Sequence, residues 1–104
     1  MDVRSFKLSD GSELVAELVR ISKTGEHVIK RPLLVAPMRG ADGQPHIGFG
    51  FWSMIVDTDH EIMLLPHALL TAPAKVIEQV ATSYMQQVTG IALPSASSGQ
   101  ILQG

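Results

Sequence analysis

Residues 5–21 read SFKLSDGSELVAELVRI, and the placing of apolar side chains in this stretch decides the fold. Phe6 and Leu8 alternate with Ser5 and Lys7, and Asp10-Gly11 supplies the positive backbone dihedral that a tight hairpin needs. A long second strand follows from Glu13 to Ile21. Successive side chains of a strand point to opposite faces, so Leu14, Ala16 and Leu18 share one face. Val15, Val19 and Ile21 share the other with Glu13 and Glu17. Such a strand is too long and too two-sided for an ordinary edge. It suits a strand bent around a small barrel, facing the core along one part and a neighbouring sheet or subunit along another.

Working outward, Arg4 to Leu8 is the first strand, and Ser22-Lys23-Thr24-Gly25-Glu26 is a second turn with Gly25 as its left-handed residue. His27 to Lys30 returns as a third strand. Pro32 lacks a backbone donor and interrupts or ends pairing, with Leu33 to Ala36 continuing along an edge. Pro37 to His46, PMRGADGQPH, holds two prolines and two glycines and is predicted to be a loop. Ile47 to Val56 restores a period of two, with Ile47, Phe49, Phe51 and Ile55 on one side and Gly48 and Gly50 on the other. These glycines fit close approach of a neighbouring backbone or ring, since GxGxG without a third glycine and a helix is not a dinucleotide site. Asp57-Thr58-Asp59-His60 is a polar turn, and Glu61 to Leu65 is a fifth strand ended by Pro66.

Beyond Ala72 the period changes to nearly four. Val76, Val80, Tyr84 and Val88 recur at i+4 with Ile77 and Ala81 beside them, an amphipathic helix over about 73–89. Pro73 suits its first turn and Gly90 its end. Ile91 to Leu93 is expected to dock back on the body, and the small polar residues of 94–104 are expected to form a flexible tail. The 104 residues thus divide into one mainly β domain over 1–93 and a tail.

Charged residues make up 17% of the chain, below the usual quarter, which leaves more neutral surface and favours self-association. A formal charge of −2 creates no global field that would gather nucleic acid, so phosphate contacts would need a local cluster or repetition in an oligomer. The absence of cysteine excludes disulfides and thiolate metal sites and makes the cytoplasm the expected compartment. No signal-peptide core and no window of about 20 apolar residues is present, so no membrane association is expected.

Five strands with an early Asp-Gly turn and a long bent strand resemble the Sm-like fold, and within it the Sm-like proteins encoded by tailed phages of marine cyanobacteria. The residues carrying the resemblance are FKLSDGSELVAELV (6–19), Pro32-Leu33-Leu34-Val35 and SYMQQVTGIAL (83–93). The resemblance implies a strongly bent five-stranded barrel, here with a C-terminal helix, that pairs edge strands of adjacent subunits into a closed ring of about five to seven copies. It also implies a role in RNA metabolism in the cytoplasm, the host's if the chain is phage-encoded, without catalysis or cofactor. There are departures. Ser22 and Glu26 stand where the family usually offers an aspartate and a base-holding asparagine, and the turn Asp57–His60, taken as the one before the last strand, has two acids in place of a cation and glycine. The usual Sm helix precedes the first strand, whereas this one follows the fifth.

Lys23, Lys30 and Arg31 form the main basic group, with His27 beside them. In a ring each would be repeated around the axis and could track an RNA backbone; alone they are equally solvated strand-end charges and a structural histidine. Alanine at both Lys30 and Arg31 is expected to weaken RNA binding and flatten its salt dependence. Phe49 and Phe51 share the parity of Ile47 and are expected in the core, whereas Trp52, of opposite parity, is either an exposed stacking platform or a packing residue beneath the helix. Asp57, Asp59, His60 and Glu61 lack the glycine and distal glutamate of a calcium loop, four histidines without cysteine give no zinc spacing, and no GxSxG is present. No catalytic residue, metal or cofactor is expected. The alternative function is a ring scaffold that docks a host or phage protein without binding nucleic acid.

Overall fold

The computed structural model describes residues 1–53, 55–57 and 59–89; the expected docking of 91–93 and the tail 94–104 lie outside the described residues. Strands β1 (Val3–Lys7), β2 (Glu13–Ile21), β3 (His27–Arg39), β4 (Pro45–Phe51), β5 (Ile62–Leu64) and β6 (Ala74–Lys75) form one antiparallel sheet, and helix α1 (Glu78–Thr89) follows it. The order across the sheet is β4-β3-β2-β1-β6, with β5 paired to the first part of β3. Among the described residues the outer strands β4 and β6 do not pair, so hydrogen bonds do not close the sheet into a barrel.

The expected turns form where glycine permits them. Gly11 (φ 92°) and Gly25 (φ 91°) occupy the left-handed region in the β1–β2 and β2–β3 turns. Asp10 secures the first by accepting from the Ser12 amide at 2.9 Å and from the Ser12 hydroxyl. β2 is buried on both faces. Leu14 and Ala16 join Phe6, Leu8, Ile29 and Leu64 in one cluster, whereas Val15 joins Leu33 and Tyr84 in the other. Leu18 packs on the first cluster as its parity requires. Val19 and Ile21, expected on the second face, are exposed, because a bulge falls between Leu18 and Arg20 and shifts the register.

β3 differs most from expectation. It does not end at Pro32 but runs unbroken to Arg39, and beyond Pro32 it is a central strand, with Leu33 and Leu34 pairing to both β2 and β4. The cause is a second bulge. Val15 pairs with Leu33 and Glu17 with Lys30, so Arg31 and Pro32 together oppose Ala16. A bulged residue owes the ladder no hydrogen bond, and this is where a proline is tolerated within a sheet. The predicted loop 37–46 is correspondingly short: Pro37–Arg39 and Pro45–His46 are paired strand, leaving 40–44 as the connection, with Gly43 at φ 78°.

The segment after β5 also departs from the expectation. A 3-10 turn at Pro66–Ala68 leads into a segment that returns along β1: Ser9 donates its amide to Ala68, Leu8 bridges Leu69, Leu70 donates to the Lys7 carbonyl, and Arg4 and Ser5 pair with Lys75 and Ala74. β6 is therefore a sixth strand, and the turn that precedes the last strand is 65–69, not Asp57–His60. The helix starts at Glu78 rather than near Pro73, and the Ile77 carbonyl accepts the Val80 and Ala81 amides at 3.0 Å. Its stripe is as expected for Val80, Tyr84 and Val88, and Val76 packs beside them from the approach to the helix, but Ile77 is exposed.

Tyr84 is fully buried, and its hydroxyl donates to the Arg31 carbonyl at 2.7 Å. Burial is the main cause that pushes the phenol up to about 12 from an ordinary 10.0. The folded chain thus keeps the proton where the unfolded chain would lose it, so this stabilisation is complete below pH 10.0 and is lost as the pH rises toward 12. Tyr84 is the single tyrosine of the chain, so phenolate absorbance should titrate near 12 in the native protein and near 10 in denaturant. Tyr84→Phe should remove the alkaline loss and cost about 1 kcal/mol in chemical denaturation, because the carbonyl of half-buried Arg31 loses its donor.

Candidate nucleic-acid interface

Two turns meet at one end of the sheet. Chain geometry brings them together: His27 pairs with Leu64 where β3 meets β5, and two residues on from Leu64 the chain enters the 3-10 turn. An ideal Cβ on Gly25 would lie 3.4 Å from the Pro66 ring, so the 22–26 turn rests against the 66–68 turn. The Ser9 hydroxyl donates to the His67 carbonyl, adding the β1–β2 turn to the same surface. Lys23 is exposed at the tip, His67 is exposed on the 3-10 turn, and His27 is half-buried, its Nδ1 3.0 Å from the Gly25 carbonyl and its ring edge-on to Phe6. His67 was not singled out from the sequence. The signal was present, a Pro-His-Ala after a strand, but it had no meaning until β6 made this the turn before the last strand.

Ser22 and Glu26 share this surface. The Glu26 carboxylate accepts from the hydroxyls of Ser22 and Thr24, and these bonds hold it below the ordinary glutamate range. The group is an acceptor folded back on its own turn. Lys23 stands clear of it, the one cation of the turn.

The other proposed contacts lie elsewhere. Lys30 is half-buried in β3 opposite Glu17. Arg31, at φ 52° in the bulge, donates to Glu17 at 2.9 Å and to Asp59 at 2.7 Å. Its charge is used within the chain, and its strained backbone is held by the bulge and by Tyr84. Trp52 directly follows β4, past Phe51, which pairs with Leu33; it is partly exposed and lies on another part of the sheet from Lys23. The structure thus places Lys23 and His67 on two turns that touch through Gly25 and Pro66, turns the His27 ring to Phe6 at the start of β3, and sets Lys30, Arg31 and Trp52 apart from those turns.

The alternation of β4 is as expected, but its consequence is not. Ile47, Phe49 and Phe51 do share a face, the one that carries α1, yet only Phe49 packs into the second cluster. Ile47 is 54% exposed and Phe51 67% exposed, because the helix covers the middle of this face and the strand runs past it. The glycines do not meet the close backbone or ring anticipated for them: a Cβ on Gly48 would come within 2.1 Å of the flexible Met38 side chain's sulfur, and one on Gly50 would meet nothing within 4 Å.

A cavity of about 150 Å³ lies beside the C-terminal half of α1, walled by Pro32, Leu33, Phe51, Ile62 and Val88. Arg31, Ser53 and Asp57 reach its lining, but no histidine does, so no hydroxyl–imidazole pair is assembled there. Among the described residues no group of three histidine or acidic side chains is placed to hold a metal ion. The acidic turn explains why: Asp57 accepts the Asp59 amide at 2.8 Å, Asp59 turns to Arg31, and Glu61 pairs with Arg20 at 3.0 Å. No described helix is long and apolar enough to cross a membrane. No protein-family model matches the chain, and no curated protein matches it.

Asp10, Glu26 and Glu61 all have carboxyls held below their ordinary values, by Ser12, by Ser22 with Thr24, and by Arg20 respectively. Their contribution to stability is present above the unfolded-state values and lost as the pH falls through the folded ones. The melting temperature should therefore drop as the pH is taken below the ordinary glutamate value of 4.5, and Glu26→Gln should make that drop smaller.

Proposed function

We propose that the chain is a non-enzymatic, ring-forming Sm-like protein of the phage-encoded kind, cytoplasmic, whose subunits join through sheet edges and bind single-stranded RNA where the 22–26 and 66–68 turns meet. The observation that carries the proposal is the β4 edge. Among the described residues β4 pairs with β3 alone, and the pairs from Val35–Phe49 to Arg39–Pro45 extend beyond β2, whose pairing stops at Leu34. This is a two-stranded arm with exposed Ile47 on one face and exposed Met38 on the other, and exposed Phe51 lies at its base, opposite Leu33. Such a ribbon is marginal in water by itself, and an uncharged, apolar edge invites a further strand. Among the described residues the opposite border, Leu70 to Lys75 along β1, is a second free edge. An element with two unlike free edges joins head to tail, and a closed ring satisfies both.

RNA binding is supported by the juxtaposition itself. The resemblance places contacts in the turn after the long strand and in the turn before the last strand, and these are the two turns that touch, bearing Lys23, His27 and His67. Repetition around a ring would multiply weak single contacts.

The scaffold reading keeps a specific support. Arg4, Arg20 and Arg31 each pair with a carboxylate of the same chain, which leaves few cations for phosphate. Native mass spectrometry with and without a mixed pool of short RNAs separates the two. A closed ring carrying RNA is expected. A closed ring that ignores RNA would move the function to a protein scaffold, and a monomer would end the assembly reading. Phe51→Glu should convert the ring to monomer with far-ultraviolet circular dichroism unchanged, since this side chain is exposed in the single subunit.

A further inference from the structure

We propose that the cavity beside α1 is a binding site for one uncharged planar ring whose edge carries an amino donor next to an acceptor, a chemistry shared by aromatic amides and by the cytosine base. The site lies apart from the two-turn surface and requires neither assembly nor RNA. Its origin is a gap in the sheet. On its outer side β3 pairs with β5 as far as Ile29 and with β4 only from Leu33 onward, so 30–32 have neither partner there among the described residues. The notch spans at most about 13 Å of strand. Phe51 borders it from β4, Ile62 from β5, and the C-terminal half of α1 brings Gln87 and Val88 to its lining. Phe51, Asp57 and Gln87 are exposed, so the cavity opens to solvent.

Size and chemistry select the ligand. A volume of about 150 Å³ admits one benzene-sized ring, and Phe51 offers an aromatic wall on which such a ring stacks. An aliphatic group would fill the space equally well but would cover polar groups without satisfying them. The half-buried Ser53 hydroxyl and the Gln87 carboxamide both belong to the lining, and neither side chain hydrogen-bonds to another described residue. They can donate to an acceptor on the ring edge. Asp57 supplies the complementary acceptor: one carboxylate oxygen takes the Asp59 amide at 2.8 Å, and the other is not engaged among the described residues. A carboxylate that accepts from an amino group is the pairing by which aspartate reads cytosine. The Arg31 guanidinium brings no free charge to the lining, since Glu17 and Asp59 hold it. With Asp57 added, acidic groups outnumber the one cation, so a carboxylate ligand is repelled.

The test follows the backbone amides of the full chain by heteronuclear NMR as benzamide, cytidine or benzoate is added. Benzamide and cytidine are expected to move the amides of Leu33, Ser53 and Val88 with a Kd on the order of 1 mM, ordinary for ligands this small, and benzoate to bind about tenfold more weakly. Val88→Phe, which puts a ring into the cavity, should abolish both sets of shifts. Ser53→Ala should weaken both about fivefold with circular dichroism unchanged, and it keeps the test if Val88→Phe does not fold. A short single strand of cytidines identifies the source of the ring: binding at these amides much tighter than that of cytidine assigns the site to a base within a strand, and equal binding assigns it to a free compound. Shifts absent at about 10 mM benzamide and cytidine, shifts that survive in both variants, or benzoate binding as tightly as benzamide would overturn the site. Each of these failures would leave the RNA reading of the two-turn surface in place, because none of its residues lines the cavity.

Discussion

The Tyr84 hydroxyl reaches from α1 to the Arg31 carbonyl, and this contact fixes the point at which β3 changes partners. Before the bulge at Arg31 and Pro32, β3 pairs with β5; after it, β3 pairs with β4. The bulge also lets a residue without an amide proton sit in a central strand, and it holds a non-glycine residue at positive φ. One buried aromatic ring therefore anchors the helix, caps the second cluster and secures the bend, which makes Tyr84 the residue on which the two-layer arrangement depends.

From that bend follow the two features that carry function in this reading. On one side the sheet curls so that β5 and the 3-10 turn pass the chain back to β1, and this return brings Pro66, next to His67, against Gly25 in the turn that holds Lys23. On the other side β3 and β4 continue past β2 as an arm whose apolar residues the short helix does not fully cover. The low proportion of charged residues has its physical meaning here. Part of that neutral surface is the exposed Met38 and Ile47 of this arm and Phe51 at its base, where a neighbouring strand would bury it.

Electrostatics sort the cations into two kinds. Arg31 and Arg20 cross-link the acidic segment 57–61 to β2 and β3, and their charge is neutralised by the groups they hold. Among the described residues Lys23 pairs with no carboxylate. A carboxylate within hydrogen-bonding distance of a guanidinium both fixes its geometry and cancels its field, so position in a basic stretch of sequence is a poor guide to which cations can meet a phosphate.

The sequence by itself determined the elements that rest on local chemistry: the glycine turns at 11 and 25, the two-faced strand β2, the strand β5 and the helix stripe around Tyr84. Each follows from a backbone preference or a periodicity confined to a few residues. The alternation of Ile47, Phe49 and Phe51 was equally legible. Tertiary structure alone decided the rest. Pro32 ends a strand on local grounds but is accommodated by a bulge whose partner, Ala16, lies far away in the chain; the prolines of 37–46 read as loop yet sit on paired strands. β6 has no apolar period and exists because β1 offers it an edge. The return of the chain to β1 put His67 on the turn that meets Gly25, and separate ion pairs with Glu17 and Asp59 engage Arg31 elsewhere, since distances across the sheet are set by pairing between strands and not by spacing along the chain.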